Sequence, residues 1–193
     1  MDPIYAFVFA GLFSPGPNVI LLTASGARFG FRRSLPHVFG VAVGVGIIAA
    51  AAGLGVASLL QAQPLLEMTL RVGAAGWILW MAWKLWKAPP LQSQQSETDR
   101  PFTFVQAVLF QWINPKLWAV VLAAAAGYSA GLTPLGEAQR LTTIFSGVNL
   151  LVCLFWSFAG SLLAYLLTSS IAWAMFTKIM SIALALSALM VFV

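Results

Sequence analysis

The chain has 193 residues, of which 61% are hydrophobic and 8% are charged, and its mean hydropathy is +0.92. Soluble domains carry about a quarter charged residues, so this composition predicts an integral membrane protein. The net charge of +5 comes from ten Lys and Arg residues scattered at the ends of apolar runs, which excludes the basic stripe of a nucleic-acid-binding protein. The single cysteine, Cys153, excludes an intramolecular disulfide and any paired-cysteine metal or redox motif.

Six apolar segments are each long enough to cross a hydrocarbon core of about 30 Å as a helix. They cover about residues 4–27, 38–60, 66–86, 102–127, 141–167 and 171–193. Basic residues follow the first and third segments: Arg28, Arg32 and Arg33, then Lys84, Lys87 and Arg100. By the positive-inside rule these two loops face the cytoplasm, and both termini are expected on the outer side.

The first segment is interrupted near its middle by five consecutive residues, Ser14, Pro15, Gly16, Pro17 and Asn18. Proline inside a helix removes a backbone hydrogen bond, and in lipid this is tolerated only where other protein groups or a wet cavity satisfy the freed carbonyls. The motif therefore predicts a half-helix that begins inside the bilayer, with first-turn amides that favour an anion. Asn18 is either a substrate ligand or a partner of the freed carbonyls.

His37 lies at the cytoplasmic start of the second segment. Histidine titrates in the physiological range, so His37 is a weak candidate for proton coupling. A structural role for this histidine is the alternative.

The polar stretch 88–101 divides the chain near its middle and predicts a cytoplasmic linker between residues 1–87 and residues 102–193. Each half has three apolar segments. Because three is an odd number of crossings, the second half enters the membrane from the opposite side and has the inverted orientation. Inverted repeats with discontinuous helices at a midplane site are the plan of many secondary transporters. We therefore expect an all-α membrane protein of six transmembrane helices, built as two inverted three-helix repeats with broken first and fourth helices.

The fourth segment is broken in turn by Asn114, Pro115 and Lys116, with Pro115 exactly 100 positions after Pro15. A lysine about a dozen residues into a span is too deep for its stem to reach the interface easily, and the five acids all lie in loops or at span ends. A bound carboxylate would supply the missing partner. Alternatively, residues 102–113 lie flat at the interface and Lys116 marks the start of a span.

These motifs, together with Gly30-Phe31-Arg32 and Gly73-Ala74-Ala75-Gly76, resemble the LysE/RhtB family of amino-acid exporters, and the resemblance covers essentially the whole chain. It implies export of amino acids or close derivatives across the bacterial inner membrane, driven by the proton gradient, with both termini in the periplasm. The implied partners are the amino acid, protons and the lipid bilayer, without a cofactor. Because the bilayer region holds no acid to pair a second cation, neutral amino acids are favoured over lysine or arginine.

Other function classes fit less well. A CcdA-type thiol electron carrier needs a cysteine in each half, whereas this chain has Cys153 alone. An intramembrane hydrolase needs an acid pair, a metal-ligand set or a serine with a base, and the sequence offers none, so we expect no enzyme and no metal site. A channel or a non-transporting accessory subunit stays open, as does a homo-oligomer.

Overall fold

A computed structural model describes residues 2–55, 64–88, 100–167 and 169–189, and these residues form helices and connecting turns without a strand. The helices are α1 (Pro3–Phe13), α2 (Pro17–Phe29), α3 (Phe31–Gly53), α4 (Pro64–Trp86), α5 (Phe104–Phe110), a short 3-10 helix (Gln111–Ile113), α6 (Pro115–Gly127), α7 (Pro134–Leu163) and α8 (Ser170–Leu189). The predicted all-α membrane protein is thus confirmed at the level of its helices. Most of the predicted linker, residues 89–99, lies outside the described residues, and the division into halves stays a prediction.

Both predicted breaks are present. The axes of α1 and α2 are bent by 59° at the first break, and the axes of α5 with the 3-10 helix and α6 are bent by 67° at the second. Proline at the first helical position has φ already fixed near the helical value, and the N–H group it lacks would have no intrahelical acceptor there. Five of the described helices begin in this way, at Pro3, Pro17, Pro64, Pro115 and Pro134.

Three helices, α3, α7 and α8, are long and apolar enough to cross a membrane, and the two bent pairs raise the number to five if each pair is one span. The segment expected as the remaining span, residues 66–86, forms α4, whose 23 residues extend over about 35 Å. Six crossings therefore stay a prediction, while the three to five candidate spans agree with the membrane protein that the composition predicts.

The first bent pair runs alongside α7 in the same direction. At one end, the Asp2 carboxylate forms an ion pair with Arg140 at 2.9 Å, close to the start of α7. At the other end, a Cβ atom on Gly160, near the end of α7, would lie 2.9 Å from Thr23 Cα. Residues 140–160 of a helix extend over about 30 Å, so the pair follows α7 through the bundle rather than turning back.

α5 runs along α3 rather than across it. A Cβ atom on Gly40 would lie 2.7 Å from Ala107 Cβ, and one on Gly44 would lie 2.7 Å from Gln111 Cγ. A step of four residues on α3 thus matches a step of four from α5 to the first residue of the 3-10 helix. This parallel packing favours the deep placement of Lys116 over the interfacial one.

The second bent pair ends where the first begins. Arg140 donates to the backbone carbonyl of Tyr128, which caps the C-terminus of α6, at 2.8 Å, and to Asp2 at the start of α1. The two broken helices therefore run in opposite directions through the bundle.

The opposite end of the bundle carries the basic residues. Ala27 of α2 packs with Trp173 of α8 and with Ala88, which follows α4. The His37 ring, near the start of α3, lies 5.1 Å from the ring of Phe102, just before α5. The end of α2 and the starts of α3, α5 and α8, which the sequence predicts on the cytoplasmic side, therefore lie at the same end of the bundle. The basic residues adjoining them in the chain are Arg28, Arg32, Arg33, Lys84, Lys87 and Arg100.

Candidate functional site

The two helix breaks are joined by one side chain. Lys116, in the first turn of α6, extends to the first break, where its ammonium group donates to the carbonyl oxygens of Ser14 and, at 3.2 Å, of Pro15. Ser14 is the C-cap of α1, so its carbonyl belongs to the negative end of that helix dipole. Lys116, for which the sequence offers no nearby acid, thus donates to backbone carbonyl oxygens. The carbonyls left without helical donors at the break accept these hydrogen bonds.

Gly16 provides the space for this contact. A Cβ atom at position 16 would lie 2.5 Å from Lys116 Cδ and 3.0 Å from Lys116 Nζ. The backbone of Gly16 is extended, with φ of 178°, which any residue adopts, so the requirement for glycine is one of room. The glycine between the two prolines therefore lets the lysine reach the break.

A cluster of three amide side chains fastens the breaks to each other. Asn18 Nδ2 donates to Gln111 Oε1 at 2.8 Å, and Gln111 Nε2 donates back to Asn18 Oδ1 at 3.2 Å. Asn114 Nδ2 also donates to Gln111 Oε1, at 3.4 Å. Asn18 thus bonds to a side chain across the bundle, rather than to the freed carbonyls considered as its partners from the sequence.

Gln111 is fully buried, and sequence reasoning missed it. Its signal is a glutamine among apolar residues, three positions before Asn114. In a lipid-facing segment such an amide needs a partner inside the protein, which is the criterion that would have identified it.

The two half-helices that start at the breaks differ at their N-termini. The N-terminus of α6 is capped by Asn114, whose Oδ1 accepts from Leu117 N at 3.4 Å. The N-cap of α2 is Gly16, and no side chain caps this helix. Because the first-turn N–H groups of a helix lack intrahelical acceptors, α2 offers two uncapped amides, those of Asn18 and Val19, whereas Asn114 takes one of the corresponding two in α6.

A small cavity lies where these groups meet. Of the predicted site residues, Gly16, Pro17, Asn18, Asn114 and Lys116 line it. Ser14 and Pro15 lie beside it through their contacts with Lys116, and Pro115 opens α6 behind it. Its volume is about 20 Å³, enough for a water molecule and too small for an amino acid. An amino acid could enter only if the surrounding helices moved apart.

The cavity has one polar wall that was not predicted. Asn149, from the middle of α7, lines it with Leu12, Val19 and Leu117. The residue is 2% exposed, and within the described part of the chain its Nδ2 atom forms no hydrogen bond of ordinary geometry, with the weakly accepting Cys153 sulfur one turn away. Its signal in the sequence is an amide inside the apolar run 141–167.

His37 lies away from this cavity. It is 2% exposed, and neither ring nitrogen has a partner among the described residues. It does not line the cavity, and it precedes Gly44, the α3 residue beside Gln111, by seven residues or about 10 Å of helix. Across the described ranges no group of three or more His, Cys, Asp or Glu residues could hold a metal ion.

Comparison with known proteins gives two matches. Residues 9–193 match the family profile described as LysE type translocator. An uncharacterized membrane protein of Pseudomonas aeruginosa, PA4757, is 30% identical over 112 residues, which cover 53% of this chain and 51% of the relative. The match thus spans about half the length of that curated relative. No solved structure matches the chain.

Proposed function

Because this chain belongs to the LysE type translocator family, we propose that it is a secondary transporter that exports neutral amino acids or close derivatives from the cytoplasm by proton antiport. Translocators move a solute and do not transform it, so the family indicates a transporter rather than an enzyme. The proposal that the substrate is an amino acid is supported chiefly by the contact of Lys116 with the carbonyls of Ser14 and Pro15. These carbonyls already hold an ammonium group, which is one of the two charged groups of an amino acid.

The proposed binding step is an exchange of partners. When an amino acid enters, its ammonium group replaces Lys116 on the carbonyls of Ser14 and Pro15, and Lys116 turns towards the substrate carboxylate. No charge is then left unpaired in a medium of low dielectric, where an unpaired charge is costly. The predicted site residues from Ser14 to Asn18 and from Asn114 to Lys116 form the surroundings of this exchange.

The preference for neutral substrates follows from the positions of the acids. Asp2 and Glu137 both bind Arg140, at the end of the bundle where α1 and α7 begin. The cavity itself is lined by no acidic side chain among the described residues. A lysine or arginine substrate would bring a second cation without a carboxylate to receive it.

The proposed orientation places the basic end of the bundle in the cytoplasm of a bacterial cell and both termini in the periplasm. Two inverted repeats, residues 1–87 and 102–193, would then bring a broken helix each to the site, and the opposite directions of the bent pairs support this arrangement. Proton coupling through His37 has less support, because its ring does not line the cavity.

Reconstitution in proteoliposomes tests the function. With an imposed pH gradient, vesicles containing the protein should concentrate a radiolabelled small neutral amino acid above equilibrium, and a protonophore should abolish this accumulation. Labelled lysine in matched vesicles should not be concentrated. Movement of the neutral amino acid only down its gradient would identify a channel, and absence of movement for every amino acid would refute the transporter proposal.

A further inference from the structure

Asn149 presents an amide donor that no oxygen of the described residues accepts. The residue is 2% exposed, lies halfway along α7 and lines the cavity, and its Nδ2 forms no hydrogen bond of ordinary geometry among the described residues. The Cys153 sulfur, one turn further along α7, is within its influence but is only a weak acceptor. A buried donor without an acceptor costs about 1–3 kcal/mol, so such groups are retained where a ligand or water completes them. The position of Asn149 points to a ligand atom that accepts a hydrogen bond.

The uncapped N-terminus of α2 opens into the same cavity. Gly16, Pro17, Asn18 and Val19, its N-cap and first turn, all line the cavity. Pro17 has no N–H group, which leaves the amides of Asn18 and Val19 as the first donors of this 13-residue helix. Open first-turn amides and the positive end of the dipole favour an anion.

The donors and acceptors around the cavity are thus separated. The α2 amides and Asn149 donate, whereas the carbonyls of Ser14 and Pro15 accept from Lys116. An amino acid has the same separation between its carboxylate and its ammonium group. We infer that the substrate carboxylate binds at the N-terminus of α2 with Asn149 as its side-chain donor, so Asn149 is a substrate-binding residue.

This inference rests on the proposed function and makes it specific. The N-terminus of α2 is favoured over that of α6, because Asn114 already takes one of the first-turn amides of α6. Lys116 then contributes its charge beside the carboxylate, while the directional hydrogen bonds come from α2 and α7.

Acetate is a suitable probe because it carries the carboxylate without the ammonium group and fits a smaller space than an amino acid. Thermal unfolding of the purified full-length protein, followed by tryptophan fluorescence, would be measured against increasing sodium acetate at constant ionic strength. Acetamide, which has the same shape without the charge, is the matched probe. Acetate should raise the unfolding temperature of the wild type in a saturable way, and acetamide should not.

Two substitutions at one position and one control carry the test. Asn149→Leu removes the amide at similar volume, and Asn149→Asp places a negative charge opposite the carboxylate. Each should weaken the apparent acetate affinity about tenfold or more, which is the effect expected from losing a hydrogen bond to a charged group. Ser157→Ala is the control, because Ser157 also carries a buried unpartnered polar atom on α7 but does not line the cavity. It should keep the wild-type response.

Retention of wild-type acetate affinity by Asn149→Leu would overturn the inference, as would a wild type without a saturable acetate response. The vesicle assay is independent of these results. Transport by the wild type with unchanged acetate binding by Asn149→Leu refutes the inference alone, while acetate binding through Asn149 without transport refutes the proposed function.

Discussion

Replacement of Lys116 by methionine separates the structural and the functional roles of this lysine. Methionine keeps most of the apolar stem and removes the ammonium group that binds the carbonyls of Ser14 and Pro15. Hydrogen bonds to a charged group contribute about 1.5–3 kcal/mol each. The cost of burying the cation offsets part of this gain, and so does its position at the positive end of the α6 dipole, worth about 0.3–1 kcal/mol.

We therefore expect Lys116→Met to lower the free energy of unfolding by about 1–3 kcal/mol, because two carbonyls at the break lose their donor. For a chain of this size the corresponding fall in unfolding temperature is roughly 2–12 °C. Transport per molecule should fall at least about tenfold, because the substrate carboxylate loses a charged partner.

Membrane abundance, the unfolding temperature in detergent and export per molecule would be measured together for Lys116→Met, Lys116→Gln and Lys116→Arg. Glutamine restores a donor without the charge, so it should recover part of the stability and little of the transport. Arginine keeps the charge on a larger head group and should recover more of both. A methionine variant with the wild-type unfolding temperature and wild-type export would refute both the structural role of Lys116 and its role in transport.

Three further predictions concern the bundle. A cysteine at Arg100 should be labelled only from the cytoplasmic side, and one in the loop between α6 and α7 only from outside; labelling of both from one side would refute the topology. Gly160→Ala should destabilise the protein by about 1–3 kcal/mol because its Cβ would meet the α2 backbone, whereas Gly147→Ala, with open space at the same atom, should be neutral or stabilising; equal unfolding temperatures would contradict this. The hydrogen bond from Arg140 holds the pKa of Asp2 below its ordinary value of 3.8, so this contribution to stability is present above about pH 4 and is lost as the pH falls through the lower, folded-state pKa. Asp2→Asn should therefore flatten the acid limb of the unfolding curve, and an unchanged limb would show that the pair contributes nothing.

The helix breaks were predictable because their cause is local. Proline removes a backbone donor wherever it stands, and the second motif places Pro115 directly after its N-cap, Asn114. In the first motif Ser14 precedes Pro15 but ends α1, and α2 begins two residues later, at Pro17. The starts of α3 and α7 were harder to predict from the sequence, since both helices begin seven residues before the apolar segments that start at residues 38 and 141. Hydropathy marks the part of a helix that lies in lipid and does not register polar turns that extend beyond it.

The partners within the candidate site depended on tertiary placement. The sequence shows that Lys116 lacks an acid nearby, but the proximity of the Ser14 and Pro15 carbonyls arises from the packing of the two bent pairs. Gln111 and Asn149 were missed for a related reason. Each is one of a few polar residues in an apolar run, and its importance is visible only once the neighbouring helices are in place.

Close glycine contacts divide the bundle into helix pairs that pack with and without intervening side chains. Where Gly160 meets the α2 backbone and where Gly40 and Gly44 meet α5, backbone lies directly on backbone. Such contacts leave no side chain that could change rotamer and let the helices slide, so we expect each pair to move as one unit. The crossing of α1 and α6 is instead filled by the side chain of Val120 against Gly11. If transport proceeds as proposed, we expect α1 and α6 to pivot at the breaks, so that the proposed substrate-binding residues would also form the hinge.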